Sequence, residues 1–401
     1  MYRKLLLASF FAIAPAATAQ SLTGLWDATV TDKDLVVPFR IELSGAGSQV
    51  QGSLINGDDK FTSTRGRFEN GALVLNFDHF ASKLEATLKD GRLEGTYMRG
   101  TKAAYPFSAQ RFAPSKLTAD DVPSIAGLWE VEVKSPKGES AWRFIVRQSG
   151  AEVTAAILRV DGDTGTLAGQ YQNGKFRLSH FAGGMPWLLE VTTNQDGTLD
   201  LVRNGKEHWI AVRQAQARAQ GLPEPTDPSR HTSVKDPTEP FRFEFADVNG
   251  KVVSNTDPRF QDKVVIVAIS GSWCPNCHDE APFLEALYRK YRSRGLEIVS
   301  LSFEEPEQQK DLTRLRAFIK QYNIEFPVLV PGEPSELQAK LPQTVNLNAW
   351  PTTFFLGRDG RVRSVHAGFA GPASGAFHEE QMRDISTLVE RLLAENVVSS
   401  R

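Results

Sequence analysis

The sequence predicts two tandem antiparallel all-β units followed by an α/β domain, and three observations support this fold class. The chain has 401 residues, more than one ordinary hydrophobic core accommodates. The part before residue 215 repeats its own motifs, and its apolar residues alternate with polar ones as in half-buried strands. The part after residue 240 alternates strand and helix patterns, which is typical of an α/β fold with a mixed sheet.

An internal duplication organises the N-terminal half. Short motifs recur there in the same order: Gly-Leu-Trp at 24–26 and 127–129, Asn-Gly at 70–71 and 173–174, His-Phe-Ala at 79–81 and 180–182. Such ordered matches predict a duplicated unit of about 90 residues, which we assign to 20–114 and 115–214. Two arrangements fit the pattern: two small antiparallel barrels, or a sandwich-like structure of which each unit forms one half.

Each unit has the features of short strands joined by tight turns. Apolar and polar residues alternate at 72–77, and Asn-Gly or Asp-Gly dipeptides separate such runs as hairpins require. This pattern predicts about eight strands per unit. The opening Gly-x-Trp and a late arginine (Arg111 or Arg213) resemble the lipocalin and wider calycin pattern. The resemblance implies that Trp26 and Trp129 each lie across one barrel end with the basic residue packed on them.

A proline-rich stretch separates the two halves. Residues 215–240 carry several prolines among charged and small residues, which predicts a partly extended linker. The α/β domain is then assigned to 241–401. Its predicted strands are 241–245, 264–269, 296–301, 326–330, 353–356 and 362–365, and its predicted helices are 279–292, 311–322, 335–341 and 379–393. The nearly continuous β-branched run at 264–269 indicates a strand buried on both faces.

The first residues predict export. Arg3 and Lys4 precede an apolar run at 5–14 and an Ala-Thr-Ala sequence at 17–19, so a signal peptide (1–19) cleaved after Ala19 is expected. The run is shorter than the roughly 20 residues that span a bilayer, which disfavours a membrane anchor. We therefore expect a mature protein that does not span a membrane, in the periplasm or outside the cell. The net charge of −2 gives no indication of nucleic-acid binding.

Cysteine usage points to chemistry. An exported chain has access to structural disulfides, yet this one has two cysteines, three positions apart in Cys-Pro-Asn-Cys at 274–277. A zinc site would need two further ligands, and there is no second such motif. The pair lies between a predicted buried strand and a predicted helix. A helix N-terminus favours the thiolate of Cys274, and Cys277 one turn later could resolve a mixed disulfide.

The segment 241–395 resembles thioredoxin-like proteins of the TlpA/ResA type, a family of exported disulfide reductases. The matching residues include Trp273, Cys274 and Cys277 in Gly-Ser-Trp-Cys-Pro-Asn-Cys, and Glu280 three positions later. The resemblance implies that Cys274 and Cys277 form a redox disulfide. It also implies that Glu280 is buried near the sulfurs, where a raised pKa would let it exchange a proton with Cys277.

The resemblance extends to a proline. Pro351, in Ala-Trp-Pro-Thr-Thr at 349–353, matches the family's cis-proline before a central strand. A cis bond would turn the backbone of Trp350 toward the cysteines, where it could pair with an extended substrate. Trp350 departs from the family, which often has a small or β-branched residue there. Pro275, directly after the first cysteine, is shared with some oxidising relatives, so the direction of catalysis stays open.

These observations predict an exported thiol–disulfide oxidoreductase, a protein disulfide reductase without cofactor or metal. Its partners would be protein thiols or disulfides and an exported or membrane electron donor. One alternative is a peroxiredoxin-like peroxidase, disfavoured because Gly271 stands where that family has threonine. The other is a protein that binds a ligand or partner through its β units. His278 is expected on the solvent face of its helix.

Overall fold

The structure, a computed structural model, describes residues 22–395. The predicted signal peptide at 1–19 lies outside these residues. The order predicted from the sequence is present in the described part: two antiparallel all-β units precede an α/β domain.

The first unit is a closed antiparallel sheet. β1 pairs with β2 and β9, and β2 also pairs with β3, so the sheet closes on itself. β4 pairs with the C-terminal part of β3, on the same edge of β3 that β5 contacts. Alternation gives the sheet one buried face: in β6 the side chains of Leu73, Leu75 and Phe77 are buried and their neighbours are not. The strands are β1 Gly24–Asp32, β2 Leu35–Ala46, β3 Gln49–Asn56, β4 Asp59–Thr62, β5 Arg65–Glu69, β6 Ala72–Phe77, β7 Ser82–Lys89, β8 Arg92–Arg99 and β9 Ala103–Arg111.

The second unit repeats this topology strand for strand. β11 pairs with both β10 and β12, which closes the sheet, and β13 pairs with the end of β12 as β4 pairs with the end of β3. Of the two predicted arrangements, the units therefore form two separate closed sheets. The strands are β10 Gly127–Glu132, β11 Ala141–Ser149, β12 Glu152–Arg159, β13 Gly162–Asp163, β14 Leu167–Gln172, β15 Lys175–His180, β16 Trp187–Thr193, β17 Leu199–Arg203 and β18 Glu207–Arg213.

The recurring tryptophan and arginine form the same contact in both units. The guanidinium of Arg111 lies 4.3 Å from the ring centre of Trp26, and that of Arg213 lies 3.8 Å from Trp129. Each indole nitrogen donates a hydrogen bond to a carbonyl four residues earlier, at 2.9 Å. This cation–π pair fixes the first strand of each unit against its last strand.

The linker is more ordered than the partly extended segment predicted. α1 (Gln214–Ala219) follows β18 directly, and α2 (Pro228–His231) begins after Asp227, whose carboxylate accepts from the Ser229 N–H. Pro228 is at the first helical position, where its fixed φ suits a helix and its missing N–H costs no hydrogen bond. β19 (Ser233–Val234) then pairs with β25 (Thr344–Val345), which attaches the linker to the α/β domain.

The α/β domain is built on a mixed sheet. Its strands are ordered β24-β23-β22-β26-β27, parallel among the first three and antiparallel at β26 and β27. The elements are β20 Glu244–Ala246, β21 Val252–Ser254, β22 Val264–Ser270, α3 Pro275–Tyr291, β23 Leu296–Ser302, α4 Thr313–Gln321, β24 Val328–Leu329, α5 Leu337–Lys340, β26 Thr352–Leu356, β27 Val362–Ala367 and α6 Ala376–Ala394. All residues of β22 are buried, as predicted for 264–269. Among residues 22–395, no helix is long and apolar enough to cross a bilayer.

Candidate functional site

The cysteine pair lies where the central strand β22 gives way to helix α3. Cys274 and Cys277 form a disulfide with their Cα atoms 5.3 Å apart. Cys274 caps the helix: its Sγ accepts from the Cys277 N–H at 3.3 Å, and Pro275 occupies the first helical position. In the reduced state the same N–H groups and the helix dipole would favour a thiolate at this position. This N-terminal capping by Cys274 explains why helix α3 begins at residue 275 rather than at the predicted residue 279.

Both sulfurs are enclosed. Cys274 is 3% exposed and Cys277 2% exposed. The two cysteines are therefore buried to almost the same extent. The second β unit contacts the loop that carries them, because the Asn276 side chain donates to the Asp161 carbonyl at 2.7 Å.

Glu280 lies one helical turn beyond Cys277 and is 3% exposed. Burial raises the pKa of Glu280 to about 7, and a 2.6 Å hydrogen bond donated by the Thr353 hydroxyl partly opposes that shift. A carboxyl group with such a pKa can take up or release a proton near neutral pH. The burial implied by the family resemblance is therefore present.

Pro351 directly precedes β26. The Trp350–Pro351 peptide bond is cis, as the resemblance implied. The Pro351 carbonyl accepts from the Gly368 N–H at 2.7 Å, which ties this loop to the loop after β27. Trp350 packs edge-on against Trp273, with ring centres 5.3 Å apart, and the Trp273 indole donates to the Phe303 carbonyl at 2.9 Å. The two tryptophans thus form one wall beside the cysteine loop.

A buried charged network holds the segment before Cys274, and the sequence reasoning missed it. Glu304 is fully buried and accepts from the Ser272 N–H at 2.8 Å. Arg314 lies 3.3 Å from Glu304 and donates to the Ser272 hydroxyl at 2.9 Å. Buried charges persist when paired and hydrogen-bonded in this way. Nothing local in the sequence distinguishes Glu304 and Arg314 from surface residues, because they meet only through the fold.

The expected solvent-facing position of His278 is wrong. Its side chain is buried, with Nε2 2.9 Å from the Ser272 carbonyl oxygen and Nδ1 3.0 Å from the Tyr322 hydroxyl. Its ring also packs against Phe80 of the first β unit, with ring centres 5.5 Å apart. The ring therefore lies between Phe318 and Tyr322 of the α/β domain and Phe80 of the first β unit.

A cleft of about 720 Å³ lies between the β units and the start of α3. The α/β side contributes Trp273 and Pro275, which flank Cys274, and the β side contributes aromatic residues such as Phe61 and Trp187. On one side of the cleft Lys102 forms ion pairs with Glu305 and Glu307 at 2.5 and 2.9 Å. Among residues 22–395, no group of three or more His, Cys, Asp or Glu side chains is arranged to hold a metal ion.

Comparison with known proteins places the similarity in the α/β domain. The model of the AhpC/TSA family matches residues 237–365. Thiol-disulfide oxidoreductase ResA of Bacillus cereus is 32% identical over 120 residues, which are 30% of this chain and 62% of the relative. ResA of Bacillus subtilis (strain 168) is 26% identical over 158 residues, 39% of this chain and 78% of the relative. The chain thus spans about three fifths of the first relatives it matches.

Solved structures are similar to part of the chain. A thioredoxin-family thiol:disulfide interchange protein from Chlorobium tepidum TLS is 23% identical, covering 40% of this chain and 99% of that one, with a TM-score of 0.32. StoA from Bacillus subtilis is 20% identical, covering 36% and 96%, with a TM-score of 0.27. The predicted thioredoxin-like fold of the C-terminal domain and its resemblance to the ResA type are confirmed. The names of these relatives do not favour the peroxidase or binding-protein alternative.

Proposed function

We propose that the chain is an exported thiol–disulfide oxidoreductase that reduces protein disulfides. One observation carries the proposal: the Cys274–Cys277 disulfide caps helix α3 within a domain that resembles ResA. A disulfide closing so short a loop adds little stability in the chain-entropy model. Its position at a helix N-terminus instead suits a thiolate nucleophile.

The proposed reaction transfers two electrons from the reduced pair to a substrate disulfide. The Cys274 thiolate attacks one substrate sulfur, which forms a mixed disulfide and releases the other sulfur as a thiolate. Cys277 loses its proton and attacks the Cys274 sulfur, which restores the protein disulfide and releases the second substrate thiolate. Two protons complete the two substrate thiols.

Glu280 would serve the second step as proton acceptor for Cys277. Its pKa of about 7 keeps both protonation states populated near neutral pH. Pro351 and Trp350 would provide the backbone edge that an extended substrate pairs with, and Trp273 the adjoining wall.

Regeneration requires a reductant, which we propose to be a dithiol protein in the exported compartment or the membrane. The location in the periplasm or outside the cell rests on the predicted signal peptide and on ResA as the relative.

The direct test is reduction of insulin by the protein with dithiothreitol as electron source. Wild type should accelerate the reaction, and Cys274→Ser should fall to the rate of dithiothreitol alone. Equal rates for both proteins would contradict the proposal. The equilibrium potential of the pair then fixes the direction: a value near that of thioredoxin, about −270 mV, is expected for a reductase, whereas one near −120 mV would indicate an oxidant.

A further inference from the structure

The β12–β13 hairpin, residues 159–163, covers the loops that surround the cysteine pair. The Asn276 side chain, inside the Cys-Pro-Asn-Cys motif, donates to the Asp161 carbonyl at 2.7 Å. Gly162 forms a parallel bridge with Phe369 in the loop after β27. The Asp163 carboxylate accepts from the Ser374 N–H at 3.1 Å.

The same hairpin also reaches the loop before the cis-proline. Val160 packs with Ala349 and Ala367 in a small buried cluster. The approach is close, because a Cβ on Gly368 would lie 2.2 Å from the Val160 carbonyl oxygen. Hairpin 159–163 thus contacts three segments: the cysteine motif, the loop before Pro351 and the loop after β27. An extended substrate pairing beside Pro351 would have to occupy this space.

Access to Cys274 is limited accordingly. In thiol–disulfide exchange the attacking sulfur approaches a disulfide along its S–S axis. A substrate sulfur must therefore come into contact with the Sγ of Cys274, a residue that is 3% exposed. Cys274 does not itself line the cleft of about 720 Å³, but its neighbours Trp273, Pro275 and Asn276 do. That volume suits a small molecule, and it cannot admit a folded protein while the hairpin is in place.

We propose that hairpin 159–163 is a cap that selects substrates by size, an inference that rests on the proposed function. In the closed arrangement the redox pair exchanges with low-molecular-weight disulfides that enter through the cleft. Disulfides of proteins react from an arrangement in which the hairpin has lifted. The chemistry is the same for both: the dithiol gives two electrons to R–S–S–R, and two R–SH molecules leave.

The contacts of the cap are of a kind that can be broken. Its cluster of buried apolar side chains consists of one valine and two alanines, and water can replace its hydrogen bonds with Asn276 and Ser374. The apparent rate with a protein disulfide then scales with the fraction of molecules in the open arrangement.

Gly162→Ala opens the cap without replacing any residue of the α/β domain. Gly162 has φ +112°, and a Cβ there would lie 2.2 Å from the Phe369 carbonyl oxygen and 2.5 Å from the Asn276 amide. The hairpin must therefore move away. Gly174→Ala is the matched control, because it imposes a similar backbone strain (φ +84°) in the same unit with nothing within 4 Å of the new Cβ.

The experiment uses the full chain, reduced and freed of reductant, and measures its rate of oxidation by two probes in single turnover. Bis(2-hydroxyethyl) disulfide is the small probe, and insulin is the large one. We expect Gly162→Ala to raise the insulin rate about tenfold, in proportion to the open fraction, with an unchanged rate for the small probe. Gly174→Ala should resemble wild type with both.

Other outcomes overturn the proposal. A rise of equal size with both probes would show that the hairpin does not select by size, and no change with either would show that it does not limit access. If wild type shows no Cys274-dependent oxidation by the small probe, the proposed function itself fails. Should Gly162→Ala not fold, as judged by circular dichroism, Asp163→Ala removes the hydrogen bond to Ser374 and must give the same selective rise.

Discussion

Two equivalent hairpins of the duplicated units dock onto different surfaces. Hairpin 56–60 of the first unit and hairpin 159–163 of the second lie 103 residues apart, and the pairs Asn56–Asp59 and Arg159–Gly162 close their turns in the same way. The first docks on the second unit, where the Asn56 side chain exchanges two hydrogen bonds with the backbone of Phe181. The second docks on the loops around the cysteines.

The two interfaces differ in how much apolar surface they bury. Phe181 of the second unit inserts into the first unit's core, with ring centres 4.8 Å from Phe39 and 4.9 Å from Tyr97. At the redox centre, the matching contact is Val160 against two alanines. Since hydrophobic stabilisation scales with buried apolar area, the units should stay joined while the second hairpin lifts. The duplicated units thus make one firm joint, the contact of Phe181 with the core of the first unit, and one weak joint, the contact of hairpin 159–163 with the α/β domain.

The largest effect is expected from breaking the firm joint. Phe181→Ala removes a fully buried ring and should lower the free energy of unfolding by about 3–5 kcal/mol. Urea denaturation of the oxidised protein measures this loss. A loss below about 1 kcal/mol would mean that the two units are not held together by this residue.

The next effect is expected at Glu280, the buried carboxyl group one helical turn beyond Cys277. Glu280 has a pKa of about 7 in the folded protein against 4.5 as its ordinary value. The folded state binds the Glu280 proton more tightly than the unfolded state does. The protonated carboxyl group therefore contributes fully to the free energy of unfolding below about pH 4.5, and this contribution is lost as the pH rises through 7. The loss amounts to about 3 kcal/mol.

Glu280→Gln should remove this loss, so the variant should equal wild type at pH 4 and exceed it at pH 8. Urea denaturation across this range measures the difference, and the exposed Glu379→Gln controls for the deleted charge. Parallel pH profiles for wild type and Glu280→Gln would contradict the assignment.

The smallest effect on stability is expected from breaking the weak joint. Val160→Ala should cost about 1 kcal/mol, yet it should raise the rate of exchange with insulin severalfold because it favours the open cap. Val131→Ala is the control: Val131 is buried in the core of the same unit, whereas Val160 packs in the small cluster shared with the α/β domain. A similar rise in the control would trace the effect to general loosening of the unit.

The sequence predicted the order of the domains because periodicity and turn residues are local properties. The β-branched run that became β22 and the alternation in β6 depend only on neighbouring residues. The duplication could be recognised for the same reason, because its short motifs recur in the same order in the sequence. Short helices in the linker were missed, because prolines that predict extension also begin helices.

The candidate site was predictable only where its residues lie in one motif. Cys274, Cys277 and Glu280 lie within two helical turns, and Pro351 follows from the family pattern. Three other features arise from contacts between different segments of the chain. They are the position of hairpin 159–163 over the cysteine loop, the burial of His278, and the Glu304–Arg314 ion pair. Such contacts leave no pattern in a single sequence.

The most direct test of the central claim is to trap the intermediate of thiol–disulfide exchange. Reduced Cys277→Ser, treated with bis(2-hydroxyethyl) disulfide, should retain a mixed disulfide at Cys274 that peptide mass spectrometry locates. Wild type should show no lasting adduct, because Cys277 expels it. A Cys277→Ser protein that forms no adduct, or a Cys274→Ser protein that forms one at Cys277 just as fast, would contradict the account.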